Sequence, residues 1–232
     1  MYSYNQFVLN NGLRVIHLED KTRTTIVLNT LYNVGARDES ADRTGFAHLF
    51  EHLMFSGSEN VPVFDKEVEE AAGQNNAFTN NEITNYYLVM PNENVETAFW
   101  LESDRMLALN INEKSLSVQQ GVVVEEFKQR CFNAPFGLLW HHVRSLVYKT
   151  SPYQWPTIGL NFHHVEEAKI EDVRSFYDLF YCPQNAIISA DLAELHGDTL
   201  VQAQRGSNLF KQSTRNEHGQ VIHGIGDTPP IQ

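Results

Sequence analysis

The chain has 232 residues, of which 42% are hydrophobic and 11% aromatic, enough to build the core of one domain or at most two. The formal net charge is −12, so the chain lacks the basic surface that is typical of a nucleic-acid-binding protein. This negative charge mildly favours encounters with basic peptides. No apolar run approaches the roughly 20 residues of a membrane span. Composition therefore argues against nucleic-acid and membrane partners.

The cysteines and the first residues bear on the cellular compartment. Cys131 and Cys182 are the two cysteines and form no C-x-x-C motif, so we expect free thiols in a reducing compartment. Residues 1–7 have neither the basic nor the apolar region of a secretory signal peptide. These features predict a cytoplasmic protein, while a periplasmic or organellar location stays open if a leader has been removed.

The first part of the chain alternates between strand and helix patterns. Apolar runs on either side of Asn11-Gly12 predict a β-hairpin. Gly73 follows an acidic helical pattern and is expected to cap that helix. In chain order, the predicted elements are a hairpin at 7–18, a strand at 24–34, a buried helix within 45–55 and a helix at 65–72.

The remaining patterns complete a mixed α+β domain. Pro91 ends a run of aromatic and β-branched residues that suits paired strands. Trp100, Trp140 and Trp155 are expected in the core. The order of elements predicts a mostly antiparallel sheet with helices packed on one face. The elements are strands within 76–90, helices at 93–109, 113–149 (interrupted near 133–137) and 166–181, and a strand at 187–190.

The last forty residues differ from the rest of the chain. Residues 191–232 have little apolar periodicity and many Gln, Asn, His, Gly and Thr residues. The sequence therefore predicts a main domain at 1–190, followed by a divergent or truncated segment that is partly disordered after about Ser213. A divergent folded helix at 199–210 is the alternative.

The pentapeptide from His48 to His52 carries the strongest chemical signal, an H-x-x-E-H pattern within the apolar helix predicted at 45–55. On a helix, His48, Glu51 and His52 share one face, so both imidazoles can bind one metal while Glu51 takes a proton from the attacking water. This is the inverted form of the H-E-x-x-H zinc-protease motif found in inverzincins. Two histidines turned to solvent are the alternative, which the apolar surroundings disfavour.

A catalytic zinc usually has three protein ligands and an open position, so a third ligand is expected elsewhere in the chain. The helical pattern around 119–130 offers the adjacent acids Glu125 and Glu126. Neighbouring residues on a helix point about 100° apart, so only one of these acids can face the metal. Helical periodicity does not decide between them.

The chain resembles the M16 metallopeptidase family, which includes pitrilysin, insulysin and the mitochondrial processing peptidase. Besides the pentapeptide, matching segments occur in the family's order and at about its spacing from about residue 7 to about residue 190. The resemblance implies the LuxS/MPP-like metallohydrolase fold. The segments are NVGARDE at 33–39, GFAH at 45–48, GQNNAFT at 73–79, TNYY at 84–87, ESDRM at 102–106, VVEE at 123–126, PYQWPTIG at 152–159 and FYCPQNA at 180–186.

Carried over by position, the resemblance implies that His48, His52 and Glu126 bind Zn²⁺ and that Glu51 is the general base. It thereby selects Glu126 over its neighbour. At position 119 the family commonly has a glutamate that supports catalysis, and this chain has Gln119. Gln119 can still form a hydrogen bond but carries no charge.

The resemblance also implies a peptide substrate and a partner. Asn76, Ala77 and Phe78 match the strand on which family members dock an extended peptide, whereas a plain core strand is the alternative for this segment. Family peptidases enclose the substrate with a second, similar domain, so a second M16-like domain, a partner chain or a homodimer is expected. The overall prediction is a zinc endopeptidase, with a non-catalytic peptide-binding or scaffold subunit, or a small-molecule zinc hydrolase, as rivals.

Overall fold

The computed structural model describes residues 4–192, 212–215 and 221–224. It confirms the predicted α+β class, with helices packed on a six-stranded sheet whose strand order is β1-β2-β6-β3-β5-β4. The strands of this sheet are β1 (Tyr4–Val8), β2 (Arg14–Glu19), β3 (Thr25–Tyr32), β4 (Gln74–Thr79), β5 (Thr84–Pro91) and β6 (Ala186–Leu192).

Strand pairing places β4 at one edge of the sheet. Among the described strands, β4 pairs with β5 alone, and β2 with β6 is the one parallel pair. The predicted hairpin is present, since β1 and β2 are antiparallel and Gly12 in their turn has φ 85°. The predicted last strand, β6, enters the middle of the sheet between β2 and β3. Within the described residues, one edge of β4 is therefore unpaired.

Seven helices lie within the described part of the chain, and the first of them carries the pentapeptide. All three helical stretches predicted after Pro91 are found, and the interruption near 133–137 divides the second stretch into two helices. They are α1 (Phe46–Leu53), α2 (Phe64–Glu70), α3 (Val95–Ala108), α4 (Glu113–Cys131), α5 (Leu139–Val147), α6 (His163–Glu166) and α7 (Ile170–Phe180). Among the described residues, no helix combines the length and apolarity that crossing a membrane requires.

Aromatic contacts hold α1 against the end of α7, and a hydrogen bond connects it to the sheet. The ring of Phe50, which is fully buried, stacks on Tyr181 with 4.8 Å between ring centroids and on Phe176 with 5.3 Å. The Tyr86 hydroxyl, on β5, donates a hydrogen bond of 3.2 Å to the Phe50 carbonyl. Such aromatic contacts add to the burial energy of the rings. The helix that carries the pentapeptide is therefore held by both packing and a polar contact.

Helix α3 buries polar as well as apolar residues. Ala98, Leu101 and Met106 form its buried apolar side. Glu102 and Arg105 form an ion pair with both side chains 1% exposed, and the Arg105 guanidinium lies 4.5 Å from the Tyr86 ring centroid. Pairing and cation–π contact offset part of the cost of burying the charge.

Two sequence predictions hold only in part. Gly73 caps α2 as predicted, because its N–H donates to the Val68 carbonyl at 2.8 Å, but the left-handed residue is Ala72, with φ 52°. A Cβ at Gly73 would crowd Val68 and Met90 at 3.1 and 3.3 Å. Trp155 is buried as predicted, but 40% of Trp100 and 64% of Trp140 is exposed.

The division at residue 190 stays a prediction. Within the 191–232 segment, β7 (Gln212–Arg215) and β8 (Val221–Gly224) form an antiparallel pair. The helix considered at 199–210 lies outside the described residues.

Candidate metal centre

Helix α1 presents both histidines and the glutamate of the pentapeptide within two turns. The helix begins after Gly45, whose φ of 90° suits a glycine. The His48 side chain is 8% exposed, the His52 side chain is 25% exposed, and their ring centroids lie 5.0 Å apart. Glu51, which lies between the two histidines in the sequence, is half-buried. One side of this short helix therefore carries all three groups.

Helix α4 packs against α1 and brings a carboxylate to the histidines. The Oε2 atom of Glu126 lies 3.5 Å from Nε2 of His48 and 3.3 Å from Nε2 of His52. Glu125 is exposed. The structure thus brings Glu126, and not its neighbour, to the pentapeptide. Within the described part of the chain, His48, His52 and Glu126 are the one set of His, Cys, Asp or Glu side chains close enough to share a metal ion.

The spacing of these atoms fits a tetrahedral zinc ion. Ligand atoms bound to zinc at about 2.0–2.2 Å lie about 3.3–3.6 Å from one another when the geometry is tetrahedral. The two measured nitrogen–oxygen separations, 3.5 and 3.3 Å, fall in this range. Two imidazoles and one carboxylate are also ligand types that zinc prefers. The three side chains fit zinc in their chemistry, and the two histidine–carboxylate separations fit it in distance.

The electrostatics of the cluster favour its ligand-competent forms. Burial lowers the pKa of His48 to about 4. A hydrogen bond from the His52 side chain lowers the pKa of Glu126 below its usual value. Metal binding requires a neutral imidazole and an ionised carboxylate. At neutral pH, His48 and Glu126 are therefore already in the protonation states that bind a metal.

Arg130 contacts the candidate site, and the sequence patterns did not predict this contact. Its Nη2 atom lies 2.6 Å from Oε1 of Glu126, while Oε2 of the same carboxylate faces the histidines. The i, i+4 spacing of Glu126 and Arg130 on α4 is the signal that could have revealed this pair. Arg130 occupies one carboxylate oxygen and so leaves the other for a metal.

Gln119 lies two turns before Glu126 on α4 and joins that helix to the end of α1. Its Nε2 atom donates a hydrogen bond of 3.1 Å to Oγ of Ser56. The Ser56 backbone N–H in turn donates to the Leu53 carbonyl, the last residue of α1. The predicted supporting residue is thus present as a structural link between the two helices.

The predicted peptide-binding residues lie on the edge strand β4, which packs beside α1. Asn76 and Phe78 are exposed, whereas Ala77 is half-buried and packs against the core. Tyr86, which contacts α1, lies opposite Ala77 in the neighbouring strand. Within the described part of the chain, the structure therefore places these three residues on an unpaired sheet edge next to α1.

Comparison with known proteins identifies the family. A family model described as insulinase (peptidase family M16) matches residues 14–158, more than half of the chain. The chain belongs to the M16 peptidase family. The family recognised from sequence motifs is thereby confirmed.

The M16 relatives are longer than this chain. It is 32% identical to the zinc protease PqqE of Helicobacter pylori over 80% of this chain and 42% of the relative. It is 25% identical to a probable mitochondrial-processing peptidase subunit beta of Arabidopsis thaliana over 85% of this chain and 37% of the relative. The crystal structure of a protease from Helicobacter pylori superposes with a TM-score of 0.83 and 29% identity, covering 89% of this chain and 50% of that protein. The chain thus spans half or less of these relatives.

Proposed function

We propose that this chain is the zinc-bearing domain of a metalloendopeptidase that hydrolyses extended peptides or small unfolded polypeptides. The observation that carries this proposal is the convergence of His48, His52 and Glu126 at separations that fit a tetrahedral zinc ion. The pentapeptide adds Glu51 on the same helix face. Two of the relatives described above bear the names of a zinc protease and of a processing-peptidase subunit, which supports this reaction class.

Each site residue has a distinct role in the proposed reaction. His48, His52 and Glu126 would hold zinc, and a zinc ion bound there would supply polarisation of the scissile carbonyl and a lower pKa for a bound water. Glu51 accepts a proton as water adds to the carbonyl carbon, and then transfers that proton to the amine nitrogen as the C–N bond breaks. Arg130 keeps the Glu126 carboxylate ionised and oriented.

The open edge of β4 is the proposed docking site for the peptide backbone. An extended peptide can hydrogen-bond to an unpaired strand edge, and pockets along the edge then select side chains. Asn76, Ala77 and Phe78 lie on this edge beside α1. A peptide bound along this edge would lie beside the face of α1 that carries Glu51.

A partner is proposed to complete the site. The relatives are at least twice as long as the aligned part of this chain, and one of them is named as a subunit. A second M16-like domain, a partner chain or a second copy of this chain would close over the sheet edge and enclose the peptide. The cytoplasmic location predicted from the sequence stands as part of the same proposal.

Metal content with peptide cleavage tests the proposal. Elemental analysis should find one zinc per wild-type chain, and cleavage of a quenched peptide library should be abolished by a chelator. Glu126→Gln should bind zinc more weakly, whereas Glu125→Gln, a matched change at the exposed neighbour, should bind zinc like the wild type. A wild-type chain without zinc, or equal zinc loss in both variants, would contradict the assignment.

A non-catalytic peptide-binding or scaffold subunit is the second candidate, and Gln119 is the observation that favours it. An uncharged residue stands where the family commonly has a supporting glutamate. In this case the wild type would hold zinc and bind peptides yet cleave none. Cleavage by the wild type that Glu51→Gln abolishes without zinc loss would decide for the enzyme.

A further inference from the structure

Helix α1 begins without a cap of its own. Its N-cap residue is Gly45, which has no side chain to accept a hydrogen bond from the first turn. A Cβ at this position would lie 3.1 Å from Val165 and 3.2 Å from the Ile158 carbonyl, and the φ of 90° is unsuited to other residues. The N–H groups of the first turn therefore need an acceptor from outside the helix.

Glu39 supplies that acceptor. Its Oε2 atom accepts a hydrogen bond of 2.9 Å from the Gly45 N–H, and its Oε1 atom accepts one of 2.8 Å from the Ala47 N–H. The residue is only 7% exposed. Burial raises the pKa of the Glu39 carboxyl to about 8, whereas the backbone N–H groups act in the opposite direction. The two carboxyl oxygens thus have their partners at the start of α1.

The segment that carries Glu39 is itself anchored. Glu39 directly follows a short 3-10 turn at Ala36–Asp38. The Ala36 N–H donates to the Asn80 carbonyl in the β4–β5 turn, and the Trp155 indole N–H donates to the Ala36 carbonyl at 2.7 Å. Glu39 therefore connects the start of α1 to a fixed part of the sheet.

We infer that Glu39 is a positioning residue for the metal centre, acting through the first turn of α1 on His48 and His52. This inference rests on the proposed function. Both histidines lie within two turns of the Glu39 contact, and α1 has only eight residues. A change in the first turn therefore shifts both imidazoles relative to Glu126, which stands on a separate helix. Partners that orient metal ligands typically change metal affinity about 10- to 100-fold when removed.

Glu39→Gln is the main test. The amide keeps one acceptor oxygen but places an NH₂ group against the other backbone donor. Zinc affinity, measured by competition with a chromogenic chelator, should fall about 10- to 100-fold in protein whose circular dichroism shows it to be folded. On a peptide that the wild type cleaves, kcat should fall while KM is retained. Glu39→Asp keeps the carboxyl group on a shorter side chain, so its zinc affinity and kcat should lie between those of Glu39→Gln and the wild type.

Asp104→Asn is the matched control. Asp104 is 6% exposed, and its carboxylate accepts hydrogen bonds from Ser58 and Asn60, outside α1. This change should lower the melting temperature and leave zinc affinity unchanged. Wild-type zinc affinity in folded Glu39→Gln would overturn the inference, as would an equal loss of affinity in Asp104→Asn. Failure of both Glu39 variants to fold would overturn it too, because Glu39 would then determine the fold as a whole. A wild-type chain that binds no zinc would instead refute the proposed function.

Discussion

The two helices that meet at the candidate metal centre are built in different ways. Helix α1 has eight residues, of which six are buried, and its first turn depends on Glu39. Helix α4 has 19 residues and caps itself, because the Asn112 side chain accepts from the N–H groups of Lys114 and Ser115. Much of α4 is exposed, including Val118 and Val122. One helix is held by its surroundings and the other largely by its own sequence.

This contrast assigns different properties to the proposed ligands. An isolated helix of eight residues is unstable in water, so α1 exists only because the core packs around it. His48 is accordingly fixed by the buried aromatic cluster behind α1. Glu126 lies on a helix that has its own cap, and its carboxylate forms an ion pair with the exposed Arg130. The predictions that follow test this contrast, from the largest expected effect to the smallest.

Removing the aromatic ring behind α1 should have the largest effect on stability. Phe50→Ala should lower the free energy of unfolding by about 3–5 kcal/mol, because a fully buried phenyl ring leaves a cavity. Val122→Ala, on the exposed side of α4, should change it by less than about 0.5 kcal/mol. Denaturant unfolding measures both values. Similar losses at the two positions would show that α4 depends on packing as much as α1 does.

The pH dependence of the metal-free protein should separate His48 from Glu126. The pKa of His48 is about 4 in the folded chain and about 6.5 in the unfolded chain, so the unfolded state binds more protons between these values. Stability from His48 is therefore complete above about pH 6.5 and is lost as pH falls to 4, by up to roughly 3 kcal/mol. The stability from Glu126, whose pKa is lowered, is instead lost below about pH 4.5.

Unfolding curves of wild type and His48→Asn across pH 4–7 would measure the His48 contribution as a difference. His163→Asn, at an exposed histidine, serves as the control. A wild-type slope that persists unchanged in His48→Asn would assign the pH dependence to other groups.

The sequence was most informative where periodicity and chemistry coincide. The spacing of His48, Glu51 and His52 predicted one helix face, and the apolar residues around them predicted burial. The choice of Glu126 over Glu125 needed the family resemblance, because helical periodicity allows either acid to face the metal. The Asn11-Gly12 hairpin was predictable because its backbone geometry is set by the turn residues themselves.

Tertiary contacts account for what the sequence did not predict. Glu39, Glu102 and Arg105 are ionisable residues, which are usually exposed, so their burial depends on partners that only the fold reveals. Trp140 was expected in the core because it is large and apolar, yet no residue of α5 is buried. Gly73 suggested a helix cap, but the left-handed position falls on Ala72, one residue earlier.

Removing the charge of Arg130 should weaken zinc binding and leave the stability of the fold nearly unchanged. Arg130→Met keeps most of the side-chain length but removes the charged partner of Glu126 Oε1. Because the side chain is 67% exposed, stability should change by less than about 0.5 kcal/mol. Zinc affinity should fall about tenfold, the lower end of the range for partners of metal ligands. Chelator competition measures this, with Lys128→Met on the same helix as the control. Unchanged affinity would mean that α4 alone orients Glu126.

Removing the cap of α4 should have the smallest effect. Asn112→Ala deletes the acceptor for two first-turn N–H groups and should lower the free energy of unfolding by about 1 kcal/mol. Glu126 lies almost four turns farther along α4, so fraying at Asn112 should not reach it, and zinc affinity should stay at the wild-type value. Glu39→Gln, at the start of the shorter helix, is expected to weaken zinc binding. If Asn112→Ala weakened zinc binding as strongly, the distance between cap and ligand would not matter, and the contrast between the two helices would fail.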